Sequence, residues 1–82
     1  MKNLLEFLLI HIVSFPEDVS IEESETDRGT TFTITVHPDD MGRVIGKKGA
    51  VIESIRKIAK VRAVKEGIRA HIMLEDPQEQ VA

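Results

Sequence analysis

Two glycines enclose two lysines in the middle of the chain, in the segment Gly46-Lys47-Lys48-Gly49. Glycine lets the backbone turn sharply and leaves no side chain to keep a ligand at a distance. The apolar pattern that follows predicts a helix starting just after Gly49, and free N–H groups and the positive end of a helix dipole lie at such a start. With two lysine cations at the same place, the segment predicts a cradle for phosphate groups.

Local charge supports an anionic ligand for this segment. Between Met41 and Lys65, eight basic residues stand against one acid, Glu53, so this stretch carries a net charge of +7. Since the whole chain carries −3, the remaining residues together carry −10. The basic residues are Arg43, Lys47, Lys48, Arg56, Lys57, Lys60, Arg62 and Lys65. Such a local concentration of charge, rather than the overall balance, is the electrostatic footprint that nucleic acid meets.

The elements that precede this segment follow from the hydrophobic pattern. A helix is predicted over Lys2–Val13, where leucines and isoleucines recur at helical spacing, and it ends before Pro16. Strands are predicted over Val19–Ser24 and Thr31–Val36, joined by a turn at Glu25–Gly29. The core-facing residues of the second strand are then Phe32, Ile34 and Val36.

The second half of the chain reads as two helices and a strand. A short helix is predicted over Met41–Ile45, with Asp39 or Asp40 as its N-cap, and a longer one from about Ala50 to Val64. A final strand covers Arg69–Leu74. The apolar surface of the longer helix is predicted to comprise Val51, Ile52, Ile55, Ile58, Ala59 and Val61. The order α-β-β-α-α-β predicts a small α+β domain, a three-stranded sheet with helices packed on one face.

Composition argues against catalysis and against a metal site. The 82 residues correspond to one domain, and the lack of cysteine excludes disulfides and thiolate ligands. The histidines His11, His37 and His71 are scattered without metal-ligand spacing. Helix capping accounts for Asp39 and Asp40 more simply than a catalytic carboxylate pair. We therefore expect no catalytic residue, no cofactor and no metal.

The apolar N-terminal stretch Leu4–Phe15 is predicted to be a domain helix in a cytoplasmic protein. Glu6 and His11 interrupt it and no small-x-small cleavage site follows, which disfavours a signal peptide. It is also shorter than the ~20 residues that span a bilayer. Its apolar residues extend around more than one helical face, so a homodimer contact stays open beside simple coverage of the sheet.

The residues around the two glycines resemble a family signature. Val44-Ile45-Gly46-Lys47-Lys48-Gly49-Ala50-Val51-Ile52 resembles that of the KH domain, whose GxxG loop clamps four backbone nucleotides. The resemblance covers residues 30–74 as the core motif, and the preceding helix and strand match the prokaryotic, type II form. In size the chain is similar to the KhpA (YlqC) family of small bacterial single-KH proteins. On this basis residues 1–76 form a single KH domain and residues 77–82 a flexible tail.

The resemblance implies that the ligand is single-stranded RNA. The loop would hold the sugar-phosphate backbone while bases lie in an aliphatic groove, with Val44, Ile45 and Ile52 as its floor and Arg69–Ile72 as the opposite wall. One departure is Ala50, because relatives often carry a basic residue directly after the second glycine. The implied RNA-binding residues are Arg43, Val44, Ile45, Gly46, Lys47, Lys48, Gly49, Ala50, Ile52 and Arg56.

The family also implies a role and a partner. These are an RNA chaperone or post-transcriptional regulator, acting with the larger KH-containing protein KhpB (Jag), and a link to cell shape. A protein-interaction module with a KH fold and little nucleic-acid affinity is the alternative, which the acidic remainder and Ala50 leave open. Single-stranded DNA is a third possible ligand, and the sequence identifies neither base preference nor affinity.

Overall fold

The computed structural model describes residues 1–75, in which three α-helices pack on a three-stranded mixed sheet. The elements are α1 (Lys2–Ile10), β1 (Ser20–Thr26), β2 (Gly29–Thr35), α2 (Met41–Ile45), α3 (Ala50–Glu66) and β3 (Ala70–Glu75). The strand order is β1-β2-β3, with β1 antiparallel and β3 parallel to the central β2. The predicted α+β class and element order are confirmed. The tail predicted over residues 77–82 lies outside the described residues.

The core lies between the sheet and the two longer helices. Leu5 and Leu9 of α1 are completely buried against it, as their helical spacing predicts. Alternate residues along β2 point into this core, which is the period-2 pattern of a strand with one covered face. The buried apolar side chains of β2, of the position after it and of α3 are Phe32, Ile34, Val36, Ile52, Ile55, Ala59 and Ala63.

The packing face of α3 is narrower than the sequence pattern predicts. Ile58 and Val61 were expected on its apolar surface, but their side chains are 43% and 72% exposed. The buried positions 52, 55, 59 and 63 follow one line along the helix, and residues 58 and 61 lie off that line. The small side chains of Ala59 and Ala63 let the helix approach the sheet closely. The prediction is therefore wrong for Ile58 and Val61.

The hairpin between β1 and β2 is tighter than predicted. Thr26 pairs with Gly29, so the turn consists of Asp27 and Arg28 instead of the predicted segment Glu25–Gly29. The Thr26 hydroxyl closes the turn, because it accepts a hydrogen bond from the Arg28 N–H (3.2 Å) and donates one to the Gly29 carbonyl (3.1 Å). Both strands extend further towards the turn as a result.

Two helix ends also differ from the predicted boundaries. Helix α1 ends at Ile10, and the His11 ring Nδ1–H donates to the Phe7 carbonyl (2.7 Å), a contact that caps a free carbonyl of the last turn. Helix α3 continues to Glu66, whose carboxylate accepts a hydrogen bond from Arg62 at 2.7 Å. Gly67 then stops the helix in the left-handed conformation (φ +73°).

Candidate nucleic-acid interface

The segment Gly46–Gly49 forms a tight loop between α2 and α3. Gly46 (φ +77°, ψ 173°) ends α2, and its N–H donates to the Gly42 carbonyl at 2.9 Å. Lys47–Gly49 forms one 3-10 turn, closed by a hydrogen bond from the Gly49 N–H to the Gly46 carbonyl (3.1 Å). Lys48 lies in the left-handed region (φ +55°), which is uncommon for a residue with a side chain. The chain therefore reverses direction in very few residues.

The two glycines are required for different reasons. A Cβ atom at Gly46 would overlap the Val51 side chain and lie 2.8 Å from the Val51 backbone N. A Cβ atom at Gly49 would meet no atom of residues 1–75 within 4 Å, although its φ of +77° also favours glycine. Gly46 thus permits the packing of the loop on α3, whereas Gly49 leaves bare backbone on the exposed side.

The lysines between these glycines are exposed and carry unpaired charges. Neither Lys47 nor Lys48 makes an ion pair with a carboxylate among residues 1–75. The loop lies directly before α3, a helix of 17 residues. The Ala50 N–H donates to the Lys47 carbonyl, and the N–H groups that follow it in the first turn have no partner within the helix. Ammonium groups and free N–H donors at one place attract an anion with several oxygen atoms.

Arg43, by contrast, belongs to a charged cluster at the start of α2. Asp40 is completely buried, and its carboxylate accepts hydrogen bonds from the Ser14 N–H (2.9 Å) and the Phe15 N–H (3.0 Å). Arg43 Nη1 donates to Asp40 Oδ1 (2.9 Å) and to the Ser14 hydroxyl (2.6 Å). We call Ser14, Asp40 and Arg43 the anchor cluster, because it joins the segment after α1 to the start of α2.

The anchor cluster also determines the ionisation of Asp40. Burial by itself raises the pKa of this carboxyl group. The hydrogen bonds from Ser14, Phe15 and Arg43, with the charge of Arg43, outweigh burial and leave the pKa below its ordinary value. Asp40 is therefore ionised at neutral pH.

The prediction that Asp39 or Asp40 is the N-cap of α2 is confirmed in position, at Asp40, but the side-chain capping bond is absent. Asp40 occupies the N-cap position of α2 but makes no side-chain capping bond, because its carboxylate is directed to the anchor cluster. The Asp39 N–H instead donates to the ring Nδ1 of His37 at 3.0 Å. His37 in turn stacks on Phe15, with ring centroids 4.1 Å apart.

The predicted aliphatic floor is mostly part of the core. Val44 is completely buried and Ile52 is only 6% exposed, so these side chains support the loop from beneath. Ile45 is 38% exposed and is the one of the three that offers surface to a ligand. Ala50 is exposed at the start of α3.

A groove of about 850 Å³ lies between α3 and β3. It is lined by Arg56, Lys60 and Val64 of α3 and by residues 68–73, and it continues to the β1–β2 turn at Thr26 and Arg28. Arg56 lies at its edge, where Nε donates to the Ile72 carbonyl (3.3 Å) and Nη1 to the Glu53 carboxylate (2.7 Å). The predicted wall Arg69–Ile72 lines this groove.

Neither a metal site nor a membrane-spanning helix is present in the described part of the chain. Among residues 1–75, no group of three or more His, Asp or Glu side chains is arranged to hold a metal ion. No helix in the same range combines the length and apolar character needed to cross a bilayer.

Comparison with known proteins identifies the family. A family model described as the KhpA/KhpB KH domain matches residues 2–74. The chain belongs to this KH-domain family. The family resemblance inferred from the sequence is thereby confirmed, and it is not a family of enzymes.

Several relatives are similar over most of their length, and each is named RNA-binding protein KhpA. The protein of Halalkalibacterium halodurans is 34% identical over 76 residues, which covers 93% of this chain and 100% of the relative. That of Lactiplantibacillus plantarum is 34% identical over 79 residues, covering 96% and 93%. That of Clostridium acetobutylicum is 39% identical over 69 residues, covering 84% and 92%. No solved structure matches the chain.

Two features of this surface were not predicted from the sequence. The anchor cluster joins Ser14 to Asp40, and no local pattern indicates that contact. Arg28 was assigned only to a turn, yet it lines the same groove as Lys60 of α3. In the sequence, Arg28 stands beside Gly29 in a predicted hairpin turn. That pattern does not show which element the turn packs against.

Proposed function

We propose that this protein binds single-stranded RNA through the Gly46–Gly49 loop. The observation that carries the proposal is the pair of exposed, unpaired lysines, Lys47 and Lys48, directly before the first turn of α3. The relatives named as RNA-binding proteins support RNA as the ligand. Other potential ligands of a cationic loop lack such support.

The loop suits the RNA backbone more than particular bases. Phosphate oxygens would accept hydrogen bonds from the lysine ammonium groups and from the free N–H groups of α3. Gly49 has no side chain to keep the strand away from the backbone. Bases would extend past Ile45 towards the groove beside β3. Since phosphate contacts position a strand without reading its sequence, we expect weak sequence preference.

The proposal includes a cellular role as an RNA chaperone or post-transcriptional regulator in the cytoplasm, a role for which a short site with weak sequence preference is suited. A KH loop holds about four nucleotides, so useful affinity calls for a second binding unit. That unit would be a second copy of this chain or a larger KH-containing partner of the KhpB (Jag) type. Phe7 and Ile10 of α1, 57% and 43% exposed, offer an apolar surface for such a contact.

Fluorescence anisotropy with a labelled single-stranded RNA pool tests the loop. We expect Lys47→Asp/Lys48→Asp to weaken binding by about a hundredfold, since both attractions become repulsions. The matched control is Lys2→Asp/Lys65→Asp, which changes the net charge equally at two exposed lysines outside the loop. Circular dichroism of each variant checks that the fold is kept, and the same titration with DNA of matched sequence tests recognition of the 2′-hydroxyl.

The outcomes separate the two candidate functions. Loss of binding in the loop variant alone supports RNA binding through the loop. Equal losses of RNA affinity in both variants would show that the effect comes from net charge alone, and would reject the loop assignment. A folded wild-type protein that binds no RNA would favour the protein-interaction module, the second candidate, which the exposed apolar residues of α1 support.

A further inference from the structure

The Gly46–Gly49 loop combines two lysine amines with unused backbone donors. Lys48 takes the left-handed conformation (φ +55°, ψ +27°) directly after a residue in helical conformation, and this order directs successive backbone N–H groups into one concavity. Among residues 1–75, the N–H groups of Lys47 and Lys48 donate to no backbone carbonyl. Free N–H groups and two ammonium groups are therefore concentrated on adjacent residues, which suits the binding of one phosphate group.

The other lysines do not share this arrangement. All six lysines of the chain are exposed, and none of them makes an ion pair with a carboxylate of the described residues. Lys57, Lys60 and Lys65 lie inside α3, where backbone N–H groups bond within the helix, and Lys2 has no lysine next to it in the sequence. Exposure therefore does not distinguish the loop lysines from the rest, whereas the adjacent second amine and the free N–H groups do.

A lysine amine beside a bound phosphate is placed to react with an acyl phosphate, a small molecule in which an acyl group and a phosphate share one oxygen. Binding of the phosphate brings the acyl carbon to the amine. One loop lysine, in its neutral form, attacks that carbon. A C–N bond forms, the C–O bond to phosphate breaks, and phosphate leaves with the bonding electrons and takes up the amine proton. The second ammonium group stabilises the charge that develops on the acyl oxygen and on the leaving phosphate.

We propose that Lys47 and Lys48 are a modification site for small acyl phosphates such as acetyl phosphate, and that acylation of the loop weakens RNA binding. The inference rests on the proposed function, because the acyl phosphate uses the position proposed for an RNA phosphate. The products are an Nε-acyl-lysine and inorganic phosphate. Since acylation removes the positive charge of the amine, the modified loop attracts the RNA backbone less strongly. Bound RNA in turn protects both lysines from acylation.

Mass spectrometry of the wild-type protein treated with acetyl phosphate tests the proposal without any variant that has to fold. The rate of acetylation at each lysine is measured in the same sample, with Lys57 and Lys65 as internal controls at exposed positions of α3. The matched control reagent is the N-hydroxysuccinimide ester of acetic acid, which transfers the same acetyl group but contains no phosphate. Parallel samples contain inorganic phosphate or single-stranded RNA as competitors, neither of which can transfer an acyl group.

We expect acetyl phosphate to modify the loop lysines about tenfold faster than the control lysines, the ratio that one additional charge-assisted hydrogen bond gives. The phosphate-free ester should modify loop and control lysines at similar rates. Inorganic phosphate and RNA should each slow the reaction of acetyl phosphate with the loop and leave the control lysines unchanged. In fluorescence anisotropy, the loop-acetylated protein should bind labelled RNA about tenfold more weakly than untreated protein.

Other results would overturn the modification site or the proposed function, and the two failures differ. Equal rates at loop and control lysines, or the same preference for the loop with the phosphate-free ester, overturn acylation through a bound phosphate and leave RNA binding intact. Selective acetylation of the loop without any loss of RNA affinity overturns the effect on RNA and contradicts the loop assignment. Selective acetylation that inorganic phosphate slows, in a wild-type protein that binds no RNA, keeps the modification site and rejects the proposed function.

Discussion

The anchor cluster and the Gly46–Gly49 loop lie at opposite ends of the short helix α2, and both contain charged residues. In the anchor cluster the charges satisfy one another, since the buried Asp40 carboxylate accepts hydrogen bonds from Arg43 and two backbone N–H groups. In the loop, Lys47 and Lys48 are exposed and make no ion pair within residues 1–75. Charge that is satisfied internally stabilises the fold, whereas charge left unpaired at the surface is available to a ligand.

This comparison explains why Arg43 and the two lysines are not equivalent members of one basic surface. Arg43 is half exposed, so it still contributes positive potential beside the loop. Its Nη1 is bonded to Asp40 and Ser14, which holds the side chain at the start of α2, and the adjacent Asp40 carboxylate offsets part of its charge. We therefore expect Arg43 to position α2, and Lys47 and Lys48 to meet the ligand.

The largest expected effect on folding comes from removing the carboxylate of the anchor cluster. Asp40→Ala would leave the Ser14 and Phe15 N–H groups without their acceptor in a buried place, and should lower the melting temperature by on the order of 15 °C. Thermal unfolding by circular dichroism measures this. A shift of less than about 3 °C would contradict the structural role of the cluster. Asp39→Ala, at an exposed neighbouring carboxylate, is the matched control.

A smaller effect separates the two glycines of the loop. Gly46→Ala combines a conformation almost confined to glycine with an overlap on Val51, and should cost about 3 kcal/mol of unfolding free energy. Gly49→Ala meets no obstruction from residues 1–75 and should cost about 1 kcal/mol for its left-handed φ. Urea denaturation of the two variants checks the order.

RNA binding by the same glycine variants sharpens the distinction. At the Gly49 position the added methyl group lies on the exposed side of the loop, so Gly49→Ala should lose more affinity than its small effect on stability accounts for. If Gly49→Ala binds RNA like wild type, the exposed backbone of this glycine is not a ligand contact.

Acid should weaken the anchor cluster. Because the pKa of Asp40 in the folded protein lies below its ordinary value, its ionised form stabilises the fold above about pH 4. That contribution is lost as the pH falls through the lowered folded-state pKa. Melting temperatures measured between about pH 2 and pH 7 should therefore fall more steeply below pH 4 for wild type than for Asp40→Asn.

Glu66 serves as an internal reference in that experiment. The hydrogen bond from Arg62 lowers the pKa of Glu66, with burial opposing, and this contribution is common to wild type and Asp40→Asn. The difference between the two melting curves then reports Asp40. Parallel curves over the whole pH range would show that Asp40 contributes no ionised-state stability.

The smallest expected effect on folding is that of the loop lysines. Lys47→Ala/Lys48→Ala removes charges without internal partners among the described residues, so the melting temperature should change by no more than about 2 °C. RNA affinity should nevertheless fall clearly in the same variant. A large loss of stability would show that the lysines stabilise the fold, as the anchor cluster does, and would contradict the distinction between the two regions.

Much of this molecule is determined by local sequence alone. The alternation around Phe32 and the helical spacing of Leu5 and Leu9 predict the strand, the helix and their buried faces, because periodicity reports which side of an element is covered. The glycines and lysines of residues 46–49 likewise predict a sharp, cationic loop before a helix, since glycine conformation and helix start are local properties.

Other features depend on contacts between distant segments, which only the tertiary structure decides. Ile58 and Val61 are apolar, yet the line on which α3 meets the sheet leaves them exposed. Asp40 stands where a helix cap is expected, but its carboxylate accepts hydrogen bonds from the Ser14 and Phe15 N–H groups of the segment after α1 instead. Arg28 joins the groove of Lys60 because the β1–β2 turn packs on the start of β3. A short sequence pattern describes the surroundings of a residue along the chain, whereas burial and charge pairing depend on which remote atoms fold against it.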